Sequence, residues 1–201
     1  MAYATIIRGD TRQSYTALAK DGSSFFIPNT LYKSFFLKEG QELNEVEFLS
    51  LREKVLYKVT YDKALALIAR RDHGQKELCM KLIQKGFDKD FSDKVTLDLR
   101  EKHIIDDVRF AYQYIMSRQR KSPEGIPLLR MRLKQKMISS SDIEKAVNQY
   151  LEDDTYFAAI QIAIKRLQRK NTPQEKLITT LIKKGFNKRD IFEVLSDIEK
   201  E

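Results

Sequence analysis

The sequence predicts a mainly α-helical protein, three tandem three-helix repeats forming an elongated, curved molecule, preceded by a small N-terminal arm that contains a β-hairpin. Three observations predict it. A leucine-periodic segment recurs three times, its copies stand about 50 residues apart, and the first 55 residues carry strand and turn signals that the remainder lacks. A period of that length is too long for a two-helix unit of the tetratricopeptide kind and fits three short helices.

The arm, residues 1–55, comes first. Ser14 to Lys20 and Ser23 to Pro28 flank Asp21-Gly22, and such a pair supplies the positive φ values of a tight hairpin turn. Leu31 to Phe36 and Glu45 to Thr60 then read as helical, the second running into the first repeat. The repeats are placed at 56–106, 107–153 and 154–201.

Within them, ELCMKLIQKGF (77–87) aligns with KLITTLIKKGF (176–186) and more weakly with LLRMRLKQKMI (128–138). Leu78, Leu129 and Leu177 stand 51 and 48 residues apart, and each is followed at i+4 by a second leucine, so one helical face is apolar in every copy. DDVRFA (106–111) recurs as DDTYFA (153–158), which marks the start of a unit. The flanking helices are read from Phe110 to Met116 and Phe157 to Ile164 before the leucine helix, and from Ile143 to Leu151 and Ile191 to Ile198 after it. Thr172, Pro173 and Glu175 are expected at the N-cap, first and third positions of the last leucine helix. Gly86 and Gly185 close their helices with positive φ, allowing Phe87 and Phe186 to fold back. Met137 stands where the other copies have glycine, so that helix must end differently or carry strain.

The chain holds 37 Lys and Arg against 29 Asp and Glu, a net charge of +8. Residues 118–136 hold seven basic and one acidic residue, 165–189 nine and one, and 142–154 one and five. Blocks of this kind suit a phosphate backbone or an acidic protein surface. The candidate contact residues for a partner or DNA are Arg118, Arg120, Lys121, Arg130, Arg132 and Lys134 in the second unit, and Lys165, Arg166, Arg169 and Lys170 in the third. Arg130 and Lys134 replace the apolar neighbours that flank the leucines in the outer copies, leaving a narrow seam rimmed by cations.

No catalytic constellation is expected. His73 and His103 lie 30 residues apart, without metal-ligand spacing to each other or to Cys79, and are read as cap or surface residues. Cys79 shares a column with Ile178 and is read as a buried small hydrophobe. Asp106/Asp107 and Asp153/Asp154 precede helices, where carboxylates cap free N–H groups and favour the helix dipole, so they are read as caps rather than a metal site. No cofactor or metal is expected. A single cysteine excludes an internal disulfide, the opening Met1-Ala-Tyr-Ala-Thr lacks the apolar core of a secretory signal, and no apolar run is long enough to span a membrane. The expectation is a cytoplasmic monomer.

Three stretches together resemble the RecX family, regulators of the RecA recombinase: Ala69-Arg70-Arg71 followed by Glu77-Leu78 and Leu82 to Phe87; Ile105 to Ala111; and Ser117-Arg118 followed by Leu133 to Lys136. The resemblance covers about residues 60–201, and the arm is similar to the extension of the longer members. Met137 and the two prolines within 122–127 depart from the family pattern. The resemblance implies a curved three-repeat protein that lodges in the groove of the RecA–DNA filament. There it would suppress ATP hydrolysis, strand exchange and coprotease activity, with weak or indirect contact to DNA. The competing expectation is a free-standing DNA-binding protein whose units act as helix-turn-helix modules.

Overall fold

The computed structural model describes residues 2–9, 14–152 and 155–198. Helices dominate, and the strands are confined to the N-terminal arm. Strands β1 (Ala4–Arg8), β2 (Ser14–Ala19), β3 (Ser24–Pro28) and β4 (Glu42–Leu43) form an antiparallel sheet in the order β3-β2-β1-β4. The sheet thus extends the expected hairpin by two strands. The β2–β3 turn takes its positive φ at Gly22 (84°), while Asp21 accepts hydrogen bonds from the N–H and hydroxyl of Ser23 (2.8 and 2.6 Å). The expectation of positive φ at both turn residues is therefore corrected: the loop is a residue longer than the tightest turn, and one glycine closes it.

Alternation along the strands buries Ala4, Ile6, Ala17, Ala19, Phe25 and Ile27 on one face. Helix α1 (Asn29–Ser34) and the first half of α2 (Glu45–Ile68) cover that face through Leu31, Phe48, Leu51 and Val55. Helix α2 opens with a reciprocal capping box: Glu47 N–H donates to the Asn44 side chain (2.9 Å) and Asn44 N–H to the Glu47 carboxylate (2.8 Å). Its second half contributes Ala64 and Leu67 to the first helical unit, so one continuous helix crosses position 55 and serves both the arm and unit one.

Unit one is completed by α3 (Gln75–Gln84) and α4 (Lys89–Glu101). Unit two comprises α5 (Asp107–Lys121), α6 (Ile126–Gln135) and α7 (Ser140–Glu152), and unit three α8 (Thr155–Gln168), α9 (Gln174–Lys183) and α10 (Lys188–Ile198). The six column leucines, 78, 82, 129, 133, 177 and 181, are all buried. Each is worth about 1.5–3 kcal/mol of transfer free energy.

All three leucine helices end alike. Gly86, Met137 and Gly185 take φ of 87°, 62° and 83°, and the next residue donates to the carbonyl five positions back: Phe87 to Leu82, Ile138 to Leu133, Phe186 to Leu181 (3.1–3.2 Å). Met137 therefore accepts the strained geometry rather than ending its helix in another way. The start of α9 is corrected by one position: Pro173 is the N-cap, without a side-chain cap, and Thr172 lies before it, because Pro173 has an extended ψ of 146° and the first helical residue is Gln174. Asp106 caps α5, accepting from Arg109 N–H (2.9 Å). The matching Asp153/Asp154 pair lies outside the described residues.

Unit one has its own core, with Val95, Leu99 and Ile105 around the leucines. Units two and three share one continuous core, from Ala111 and Ile115 through Tyr150 and Tyr156 to Leu195. The two junctions between units occupy equivalent places, where the start of one leucine helix meets the exit of the next. At the first, Gly74 lies against Ile138, Gln75 N–H donates to Asp107 (2.8 Å), and Arg100 reaches Gln75 (2.9 Å) and Asp142 (3.2 Å). At the second, Gly125 N–H donates to the Lys184 carbonyl (2.8 Å), and a side chain on Gly125 would overlap the Gly185 backbone.

Candidate functional site

The ten cations singled out by the charge blocks fall into two groups. Four are committed within the protein. Glu124 is buried and receives both Arg118 (2.6 Å) and a two-pronged contact from Arg132 (2.5 and 2.8 Å). Its backbone is held by Gln119, whose amide donates to the Glu124 carbonyl (2.8 Å) and accepts from its N–H (2.9 Å). Burial alone would raise the Glu124 carboxyl, but the hydrogen bonds from Arg132 and Arg118 outweigh it and hold the group below its ordinary range. Arg130 makes a paired contact with Glu144 on α7 (2.9 and 2.6 Å) at the surface. Arg166 donates to the carbonyls of Lys121 and Arg120 (2.8 Å each), so an arginine of unit three closes the C-terminal end of a unit-two helix.

The other six, Arg120, Lys121, Lys134, Lys165, Arg169 and Lys170, are exposed and make no ion pair among the described residues. Two of them, Arg169 and Lys170, stand beside the Arg166 bridge. It ties the end of α5 to α8 beside a cleft lined by Arg166, Arg169, Lys170 and Lys184 over an apolar floor of Pro123, Ala163 and Leu167, while Arg120 and Lys121 line a separate recess with Gln113 and Ser117. No carboxylate lines the cleft. Lys134 lies apart, on α6. Sequence reasoning did not single out Lys184. The signal was its column, where Lys85, Lys136 and Lys184 recur, and its meaning emerges only when Gly125 packs against the α9 exit. The cleft can hold an anion with several oxygens, such as a phosphodiester, by charge-assisted hydrogen bonds.

The groups weighed for chemistry sit elsewhere. Cys79 is buried 3.0 Å from an Asp93 carboxylate oxygen, and burial together with that neighbour pushes its thiol up to about 12, so it stays protonated. His73 is buried, a correction to its placement as a cap or surface residue. Its Nδ1–H donates to the Arg71 carbonyl (2.7 Å), which leaves Nε2 to accept from Lys81 (3.0 Å), and burial lowers its pKa. His103 lies exposed at the exit of α4 with φ 55°. Asp107 caps α3 of the preceding unit across the junction, and burial raises its carboxyl. Among the described residues no group of three or more His, Cys, Asp or Glu is placed to hold a metal ion, and no helix is long and apolar enough to cross a membrane.

Fold and cleft together define a protein of tandem three-helix units with a cationic junction. The family description "RecX, first three-helix domain" matches residues 61–96, and "RecX, second three-helix domain" matches 106–147. The regulatory protein RecX of Chlorobaculum tepidum is 36% identical over 135 residues, covering 67% of this chain and 84% of that protein. That of Leuconostoc mesenteroides is 26% identical over 179 residues, covering 87% and 67%. A crystal structure of regulatory protein RecX aligns over 100% of both chains with a TM-score of 0.67 at 21% identity. The chain belongs to the RecX family.

Proposed function

We propose that the protein regulates RecA recombinase filaments on DNA, mostly by inhibiting their ATPase, strand-exchange and coprotease activities. It acts as a cytoplasmic monomer that binds rather than catalyses. The observation that carries this reading is the cleft at the junction of units two and three, where four cations of unit three converge with no carboxylate among them. Arg120, Lys121, Lys165, Arg169 and Lys170, joined by Lys184, make the contact with phosphates or with an acidic face of the filament, and Arg166 ties the two units together beside them. Arg118, Arg130 and Arg132 hold unit two together, and Lys134 is an outlying contact. The three units serve as the domains at 56–106, 107–153 and 154–201, behind the arm.

The free-standing helix-turn-helix alternative is disfavoured by charge. Its recognition helix would be the last of each unit, yet α7 exposes Glu144 and Glu152 and lies in the most acidic block of the chain. The test is RecA's DNA-dependent ATPase with stoichiometric protein. The wild type should lower it, and Arg169→Glu/Lys170→Glu should lose most of that effect with unchanged thermal unfolding. No effect of the wild type would refute the reading.

A further inference from the structure

Unit one carries a pocket at the same elbow as the cleft of unit three. The end of its first helix supplies Leu67, Arg70 and Arg71, as α8 supplies Leu167, Arg169 and Lys170. The end of its leucine helix supplies Lys85, as α9 supplies Lys184. Lys81 and the buried His73 complete the wall, and no carboxylate lines it. The internal pairs show which charges remain available. Arg71 is bound to Glu77 by two contacts (2.5 and 3.3 Å), and Lys81 spends one donor on His73. Arg70 and Lys85 are exposed and make no ion pair among the described residues, whereas Lys81 also pairs with Glu77 (3.8 Å). The Nδ1–H of His73 is fixed on the Arg71 carbonyl, so Nε2 holds the Lys81 ammonium at the pocket wall.

We propose that this pocket is a second phosphate-binding site, and that a nucleic-acid strand engages the elbows of units one and three through its backbone. The inference rests on the reading that the junction cleft contacts the DNA of the filament. A ligand with repeating charge is the class that two repeat-related cationic pockets fit. A single phosphate would need only one of them.

The experiment measures binding of a labelled oligodeoxythymidylate at a series of low salt concentrations, with wild type, Arg70→Ala/Lys85→Ala and the control Lys63→Ala/Lys76→Ala. The control residues are exposed cations of the same stretch that do not line the pocket. Each phosphate contact on a single strand adds about 0.7 to the slope of log affinity against log salt. The pocket variant should lower that slope by about 1.4, and the control should not change it. An unchanged slope in the pocket variant overturns the proposal. So does a variant that binds the strand normally but is captured less by assembled RecA filaments, because the occupant is then an acidic protein face. Failure of the parent reading shows up separately, as a wild type without effect on the RecA ATPase.

Discussion

The junction between units one and two and the junction between units two and three occupy the same place in the repeat and are built differently. The first is made by side chains: a carboxylate capping a neighbouring helix, an arginine reaching an aspartate, and a glycine facing the tip of an isoleucine. The second is made mainly by backbone: a glycine N–H on a carbonyl and two glycines in direct contact, with one arginine side chain closing a helix end. Side chains can rotate away at modest cost, whereas main chain cannot. The separate core of unit one and the shared core of units two and three follow the same division. The cleft therefore sits on the more rigid of the two junctions, where its cations keep their spacing, and unit one with its own pocket is joined by the softer link.

Substitution at the second junction should have the largest effect. Gly125→Val puts a branched side chain into the Gly185 backbone and breaks the bond to Lys184, so the cost should reach about 3 kcal/mol or more. Gly74→Ala meets the Ile138 methyl and an Asp107 oxygen, which can shift, and should cost about 1 kcal/mol. Chemical denaturation of both variants checks the comparison. Equal costs would mean that the junctions are equally rigid.

Between these two lies Glu124→Gln. Removing the charge leaves Arg118 and Arg132 facing a neutral amide, and because both guanidiniums are partly exposed the loss should be about 2 kcal/mol rather than that of a fully buried pair. The sign of its pH dependence follows from the lowered carboxyl. The stabilisation is complete above the ordinary glutamate range and is lost as pH falls below about 4.3 toward the folded-state value. The variant should lose that part of the acid limb. Asp107 has the opposite shift, so its charge opposes folding as pH rises through its raised value, and Asp107→Asn, which keeps an acceptor for Gln75, should change stability at neutral pH by less than about 0.5 kcal/mol. Thermal unfolding across the acid range tests both.

The helical units could be read from the sequence because their signals are local. Paired leucines at i and i+4 define a face, and glycine marks the exit, within a dozen residues. The division of labour among the cations could not. Arg132 and Lys134 look alike in the chain, and only packing of α6 against the buried Glu124 consumes the first and leaves the second free. Glu124 itself is one acidic residue in a basic block, and nothing local shows that it is buried. Strands β1 and β4 escaped for a related reason: β4 is two residues long, and its pairing with β1 joins segments some forty residues apart. The buried His73 was missed because its partners, a carbonyl two residues back and a lysine eight ahead, meet only when the elbow folds.

The smallest expected effect tests whether the repeat's shared exit geometry carries a cost where glycine is absent. Met137 holds φ 62° in the same motif as Gly86 and Gly185, and the left-handed region costs an L side chain about 1–2 kcal/mol. Glycine would relieve that strain but gain about 0.4–1 kcal/mol of backbone freedom in the unfolded chain. Met137→Gly should therefore stabilise the protein by about 0.5 kcal/mol, measured by denaturant midpoint at constant slope. Gly86 gives the reciprocal case, because a methyl group there meets nothing within 4 Å, so Gly86→Ala isolates the conformational cost. It should destabilise by about 0.5 kcal/mol, the same balance with its sign reversed. If Met137→Gly destabilises while Gly86→Ala behaves as stated, the partly buried Met137 side chain contributes more than its backbone strain removes, and unit two has adapted its exit to hold methionine.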